Sequence, residues 1–473
     1  MKKRIVIFCN KYLGFTLLSS GGVLADLIDA FDVTIITTPS AEESIRMVTG
    51  GRCAVVTHDI ETGKIRETIY GAVGDILGMT YARSGARRNR TGILHRKAHL
   101  KLVKNKTMGE RLHKKIIVML SELAENSGIT RKILQAVFYA AAPKSDLAAM
   151  IRKINPALCI ATTAGLDEDG VFFAASRNLG VPCVALIQSW DRTASKGYPT
   201  VRPDHCIVWN AAMAEEAEIF LGIPSERVYV AGAPPWDNYL SASGPLEPRE
   251  KTEFFRRWNL DESKKLVFVA LNAQATHAEN LRMIRDICAA VKNGEFPGVQ
   301  FMLRSHPGYL IEREKTKEIE TVFDKCRNAD VNMMHPIVID PAIRNHIVTD
   351  EDRKFMHDMF RACDVTVSMM STWMIESAIF DKPNVCVEYG RYITGLYDFD
   401  LSEYQAEHIA RIFSYDAVYR ARSAPALMAM TRQALENPDE LATQRKRLAE
   451  AETGPNKGRA RQAFLAKILE ITA

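Results

Sequence analysis

DVTVSMMSTWMIESAIFDKPNVCVE, residues Asp364–Glu388, reads as a strand, a polar turn, a helix and a second strand. Asp364–Val367 is a β-branched run, Ser368–Thr372 sets three hydroxyls around two methionines, and Trp373–Phe380 has helical spacing. Asp381-Lys382-Pro383 stops that helix and launches the apolar run Asn384–Val387. Hydroxyls where a buried strand passes into a helix suit an anion, because free N–H groups, the positive dipole end and side-chain donors converge there. A Ser/Thr cap on an ordinary helix accounts for the same residues. The surrounding chain has to separate the two readings.

Strand-like runs continue from this stretch toward the N-terminus. Leu266–Leu271 (LVFVAL), Val299–Leu303, Val365–Ser368 and Val385–Val387 alternate with helical segments. The first half repeats the alternation with strands at Arg4–Cys9, Val33–Thr37, Arg52–Thr57, Ala157–Thr162, Val184–Ile187, Cys206–Trp209 and Val228–Ala231. Such alternation predicts mostly parallel sheets covered by helices on both faces. At 473 residues the chain exceeds one core. The polar, two-proline run Ser241–Lys251 divides it into an N-terminal domain (1–240), a linker (241–251) and a C-terminal domain (252–473). Gly14, Gly21 and Gly22 after the first strand do not form G-x-G-x-x-G, and no acid ends the second strand, which argues against a dinucleotide fingerprint.

Charge is unevenly placed. The net charge is +5, but Arg83–Lys115 holds twelve Lys/Arg against the single acid Glu110, so this segment carries +11 and the remainder −6. Its apolar residues suggest helices at Thr91–Lys106 and Met108–Asn126. A solvated hairpin and a surface that docks on anionic lipid or a lipid-linked acceptor both stay open. Nucleic acid is not expected, because no aromatic residue interleaves with these cations. No spanning or signal-like apolar stretch is present, and the nine cysteines form no CxxC pair, so a cytoplasmic setting with reduced thiols is expected. Docking at the inner face of the plasma membrane is left open. No metal cage is expected either, since paired acids are lacking.

In doubly wound sheets ligands bind beyond the carboxyl ends of strands. In the second half those positions hold Asn272, Gln274, Arg304, His306, Pro307, Ser371 and Thr372, with Glu376 one turn into the following helix. Arg304, His306 and the hydroxyl pair would sit on neighbouring strand ends. Together they offer donors for a phosphate or diphosphate. Glu376 is placed to take ribose hydroxyls. In the first half the strand-end candidates include Glu168 and Asp169, then Trp190, Asp191 and Lys196. A capping histidine, helix-dipole acids and an Asx turn are the ordinary explanations of His306, Glu168–Asp169 and Asp191.

Arg304-Ser305-His306-Pro307 after one strand and Ser371-Thr372…Glu376 after a later one resemble the GT-B glycosyltransferases of bacterial capsule and lipopolysaccharide synthesis, and the related CDP-glycerol glycerophosphotransferases. Ser189-Trp190-Asp191…Lys196, Gly232-Ala233-Pro234…Asp237 and Asn456-Lys457-Gly458-Arg459-Ala460 add to the likeness, which spans residues 155–470. The resemblance implies two Rossmann-like domains facing a cleft, with the basic helical segment inserted in the first. It implies a nucleotide-sugar donor on the C-terminal domain and a glycan or lipid-linked acceptor on the N-terminal one. It further implies metal-independent chemistry with no cofactor, and a last helix that can pack back on the first domain. Asp169, Glu168 or Asp191 would be the base of an inverting transfer, and Lys196 or Trp190 would meet acceptor or phosphate. The Ser-Thr pair departs from the Ser-Ser often found in those families, a conservative change for phosphate contact. Rival readings are a CDP-alditol phosphotransferase, a UDP-N-acetylhexosamine 2-epimerase and a non-catalytic glycan- or nucleic-acid-binding scaffold.

Overall fold

The structure, a computed structural model, describes residues 2–9, 14–15, 18–19, 21–60, 71–80, 108–140, 146–164, 167–187, 189–195, 201–273, 276–310, 312–338, 349–388 and 407–473. It divides into two compact units. One comprises Met1–Asp237, Ala406–His408 and Thr453–Ala473; the other comprises Asn238–Gln405 and Ile409–Glu452.

The first unit is built on seven parallel strands: β1 (Arg4–Cys9), β2 (Asp32–Thr37), β3 (Ala54–Thr57), β4 (Leu158–Ala161), β5 (Cys183–Leu186), β6 (His205–Val208) and β7 (Val228–Val230). Their order is β3-β2-β1-β4-β5-β6-β7, so the direction of winding reverses between β1 and β4. The central strands β4 and β5 are buried end to end and β1 is buried from Ile5 onward, as uninterrupted apolar runs require in a sheet covered on both faces. Between β3 and β4 the chain makes a helical excursion through residues 71–80, Met108–Asn126 and Gly128–Ala140. Ser127 separates the last two helices. Its N–H donates back to Leu123 and its hydroxyl accepts from Thr130 N–H at 3.2 Å, so one residue ends a helix and caps the next. The expected helix Thr91–Lys106 lies outside the described residues.

The last helix, Ala460–Thr472, belongs to this first unit. Both oxygens of Asp237 accept from its first backbone groups, Ala460 N–H at 3.0 Å and Arg461 N–H at 2.9 Å, and Asn456 donates to Ala231 O at 3.0 Å. Gly454 has φ +78°, and a Cβ there would lie 2.1 Å from Trp209 O and 3.1 Å from Gly232 Cα. Two motifs noticed in the sequence, Gly232…Asp237 and Asn456…Ala460, therefore meet as the cap and seat of a helix.

The second unit has six parallel strands: β8 (Lys265–Ala270), β9 (Val299–Arg304), β10 (Val331–Met334), β11 (Val365–Ser368), β12 (Asn384–Val387) and β13 (Tyr419–Ala421). Their order is β10-β9-β8-β11-β12-β13, and winding reverses between β8 and β11. Part of the run expected as linker is helical: Pro248–Arg257 starts with Pro at its first turn and a capping box made by Glu247 and Glu250. Its polar composition is that of a helix start.

Inside Asp364–Glu388 the polar residues on the buried side bond to one another. Asn384 donates to Thr366 Oγ1 (2.9 Å) and Ser368 Oγ (3.2 Å), and Thr366 and Ser377 hydroxyls are 2.7 Å apart, which ties β11, β12 and the helix Trp373–Ile379 together. Asp381 ends that helix at φ +52°, while Lys382 N–H donates to Ser377 O. Trp373 packs on Phe268 and Phe360, with ring centroids 4.4 and 5.1 Å away, and anchors the helix start to the sheet. The nine cysteines are free thiols. Burial pushes Cys9, Cys159, Cys206 and Cys363 up to about 12, which makes these four packing residues and not nucleophiles.

Candidate functional site

In the second unit the reversal between β8 and β11 opens the position where ligands of doubly wound sheets bind. Asn272 follows β8, Ser371 and Thr372 follow β11, and Arg304 ends β9 with Ser305 to Gly308 after it. The expectation that β9 and β11 are neighbours is corrected: β8 lies between them, so the two groups stand about 10 Å apart at ordinary strand spacing. Asn272 therefore occupies the centre of the row. Gln274 lies outside the described residues.

The β8 and β9 ends are held by a buried amide. Asn280 accepts from Asn272 N–H (2.9 Å) and donates to Asn272 O and to Tyr309 Oη, both at 2.8 Å; neither Asn280 nor Tyr309 has exposed surface. His277 Nδ1 lies 3.1 Å from the same Tyr309 hydroxyl and its Nε2 lies 2.9 Å from Glu318. Asn280 shares a helix face with Ile284 and Ile287, in register with the core. A polar residue in an apolar stripe was the available signal for it.

Arg304 does not serve as a free cation. Its guanidinium donates to Asp352 at 2.7 Å, with the two side chains 8% and 3% exposed, so the pair carries no net charge. The second Asp352 oxygen accepts from Ile337 N–H at 2.9 Å. Arg304 Nε is buried without a hydrogen-bond partner among the described residues, a donor whose loss of water costs about 1–3 kcal/mol until something accepts from it. Asp352 was missed in the sequence. Thr349-x-x-Asp352 signals a helix start, and Thr349 does cap Asp352 N–H at 3.0 Å, but that spacing says nothing of Arg304.

His306 is exposed to solvent, yet protein packed around it and the Arg304 cation push its pKa down to about 4. The imidazole is therefore neutral at neutral pH. Gly308 N–H donates to His306 Nδ1 at 3.0 Å, which puts the ring proton on Nε2. The residue after Pro307, in the turn Pro307–Leu310, thus fixes the tautomer. His306 offers a neutral N–H donor.

The turn after β11 also differs from expectation. Trp373 N–H is bonded by Ser371 Oγ at 3.3 Å, and the N–H groups of Met374, Ile375 and Glu376 donate to Ser371 O or Thr372 O. The helix Trp373–Ile379 is seven residues long and its first donors are already engaged. Donor capacity sits one step earlier. Thr372 makes no side-chain cap, and neither its N–H nor that of Ser371 has a hydrogen-bond partner among the described residues. Glu376 is partly exposed and acts electrostatically on Tyr239, as do Arg304 and Asp352, so these four groups share one patch. Burial, then Glu376, pushes the Tyr239 phenol up.

In the first unit, Glu168 and Asp169 open the helix Asp167–Asn178 just after β4, beside the reversal between β1 and β4. Asp169 is 1% exposed and accepts from Thr163 Oγ1 at 2.9 Å on both oxygens. That makes it a positioning carboxylate and leaves the partly exposed Glu168 as the member that reaches solvent. Asp191 accepts from Ser189 Oγ at 2.5 Å, a local turn bond. Trp190 is 6% exposed and packs edge-on against His408 with centroids 4.6 Å apart, so it is a packing residue and not an open platform for an acceptor. Lys196 and residues 83–107 of the basic segment lie outside the described residues. Among the described residues no His/Cys/Asp/Glu group is arranged to hold a metal ion.

No protein-family model and no curated protein sequence matches the chain. Solved structures match it in fold. Staphylococcus aureus MnaA in its co-structure with UDP has a TM-score of 0.55 at 10% identity, over 99% of this chain and 97% of that one. UDP-GlcNAc 2-epimerase from Neisseria meningitidis, bound to UDP-GlcNAc, gives 0.53 at 12% identity over 99% and 100%. A glycosyltransferase from Rickettsia africae ESF-5 gives 0.51 at 8% identity over 100% and 98%. At these identities the likeness is one of fold, and the fold is of GT-B type: two Rossmann-like α/β units, the first carrying a helical insertion.

Proposed function

We propose that the protein is a nucleotide-sugar enzyme of GT-B fold that transfers a sugar to a glycan or lipid-linked acceptor in surface-polysaccharide synthesis. The observation that carries this reading is His306, held as a neutral Nε2–H donor at the carboxyl edge of the second sheet, one strand from the winding reversal. In the transfer an acceptor oxygen attacks the anomeric carbon, the bond to the donor's phosphate oxygen breaks, and charge develops on the departing nucleoside diphosphate. His306 Nε2–H, the Ser371 and Thr372 N–H groups and the Thr372 hydroxyl would donate to that charge. Arg304, neutralised by Asp352, would shape the pocket and lend its unpartnered Nε–H. Glu376 would take the ribose. Glu168 or Asp191 would accept the acceptor's proton.

A second reading, 2-epimerisation of a UDP-N-acetylhexosamine, draws on the likeness to a UDP-GlcNAc-bound epimerase. Epimerisation needs no acceptor. Incubation with UDP-, CDP-, GDP- and CMP-linked donors separates the readings: transfer releases nucleotide only when an acceptor is present, whereas epimerisation changes a UDP-sugar alone. A CDP-alditol donor consumed in place of sugars would identify the phosphotransferase. His306→Ala should cut turnover by about 10²–10³-fold with the circular dichroism unchanged; near-normal turnover would overturn the assignment.

A further inference from the structure

Nine large hydrophobic side chains are exposed among the described residues, and seven of them lie on the hairpin Met108–Asn126/Gly128–Ala140. Leu112, Ile116, Met119 and Leu123 recur at i, i+4, i+7 and i+11, and Ile129, Ile133 and Val137 at i, i+4 and i+8. Each set is one stripe of a helix. The opposite side is already used. Ile117, Ser121, Ala124 and Phe138 are buried, and Thr80 Oγ1 donates to Ser121 O at 3.4 Å. Core packing therefore explains the inner side of the hairpin and leaves a second, outward apolar face. Leu112 (63% exposed), Met119 (59%) and Ile129 (74%) lie far above anything a core contact would leave open. The longer helix extends about 28 Å, enough for a continuous contact surface.

Charge decides what covers that face. The hairpin begins within the Arg83–Lys115 segment that carries +11, and its own residues 108–140 hold five Lys/Arg against three acids, with Lys115, Lys132 and Glu122 exposed, while the chain outside Arg83–Lys115 is −6. A second copy would bring two such segments together, and like charges brought together across an interface are unfavourable. Nucleic acid matches the charge but not the stripe, which is aliphatic and offers no aromatic ring for stacking. An anionic bilayer surface matches both, because its headgroups attract cations and its acyl boundary accepts aliphatic side chains. Contact would be in the interface plane, since no helix among the described residues is long and apolar enough to cross a membrane.

We infer that the outward face of this hairpin docks on anionic lipid bilayers. This does not depend on which reaction the two sheets perform. The test uses the full chain with vesicles of phosphatidylcholine alone and of phosphatidylcholine with phosphatidylglycerol. Binding to the anionic vesicles is expected to be at least about tenfold tighter and to weaken with added salt, each Lys or Arg near the surface contributing about fivefold. The variant Leu112→Gln/Ile116→Gln/Ile129→Gln/Ile133→Gln should lose about tenfold or more in that affinity with an unchanged melting temperature. Equal binding of variant and parent, or no preference for the anionic vesicles, overturns the inference. So does a lowered melting temperature in the variant, which would show the face already covered by the chain itself. A concentration-dependent dimer that the same substitutions dissolve would assign the face to a second copy.

Discussion

An imidazole that accepts a backbone N–H at Nδ1 is committed to one tautomer, and His306 is committed by Gly308. Protonation would put a second ring proton where that N–H already points, so the hydrogen bond itself opposes the charged form. Burial by surrounding protein and the Arg304 cation act in the same direction. The folded-state pKa is therefore below the unfolded value of about 6.5. Its stability consequence follows from linkage: between those two values the unfolded chain binds the extra proton, so stability falls as pH drops from about 6.5 toward 4. A nitrogen NMR titration should find the Nε2–H tautomer at neutral pH and a midpoint clearly below 6.5; a midpoint above 6.5 would contradict this environment. At this scale the sequence displayed the residue types but not their engagements. Arg304-Ser-His-Pro307 was visible as a polar strand end, whereas the Asp352 carboxylate that cancels Arg304 arrives from 48 positions further along the chain. No local pattern encodes such a meeting.

Close backbone approaches govern the next scale. The last helix is seated on the first unit where Gly454 and Gly232 pass one another beside Trp209, and each glycine adopts a positive φ. An alanine at Gly454 combines an unfavourable left-handed backbone with a Cβ inside the van der Waals shell of Trp209 O. Together these should cost about 2–5 kcal/mol. Gly454→Ala should accordingly lower the melting temperature by roughly 5–15 °C. Gly78→Ala makes the internal comparison: Gly78 lies in the helical span 71–80 with nothing within 4 Å of an added Cβ, and alanine there should be neutral or stabilising by about 0.5–1 kcal/mol. A Gly454→Ala protein that melts like the parent would show that the seat relaxes freely. Strands were legible where they are long and buried over five residues or more, as β1 and β9 are. β10 and β13 were not, because four and three residues at the sheet edges, interrupted by Asn332 and Arg420, form no apolar run.

Across the whole molecule, two separately wound sheets each present one reversal point, and the proposed roles divide between them: donor groups on the second, acid–base candidates on the first. Alternation of strand and helix announced both sheets in the sequence. It could not announce strand order, which is why the place of β8 between β9 and β11, and of Asn272 at the centre of the row, entered only with the structure. A nucleotide that binds only the native state stabilises by mass action, about 2.7 kcal/mol at a hundredfold excess over Kd. For a unit of this size that should raise the melting temperature by roughly 5–10 °C. With UDP as the probe, hydrogen exchange should slow around Asn272, His306–Tyr309 and Ser371–Thr372, and the loop after β4 should change little. His306→Ala should shrink the thermal shift with only a small change in the melting temperature of the unliganded protein, because the ring is exposed and its hydrogen bond among the described residues is the single one from Gly308. Protection centred on Thr163 and Asp169 instead would move the nucleotide to the first sheet and reverse the assignment of donor and acceptor sides.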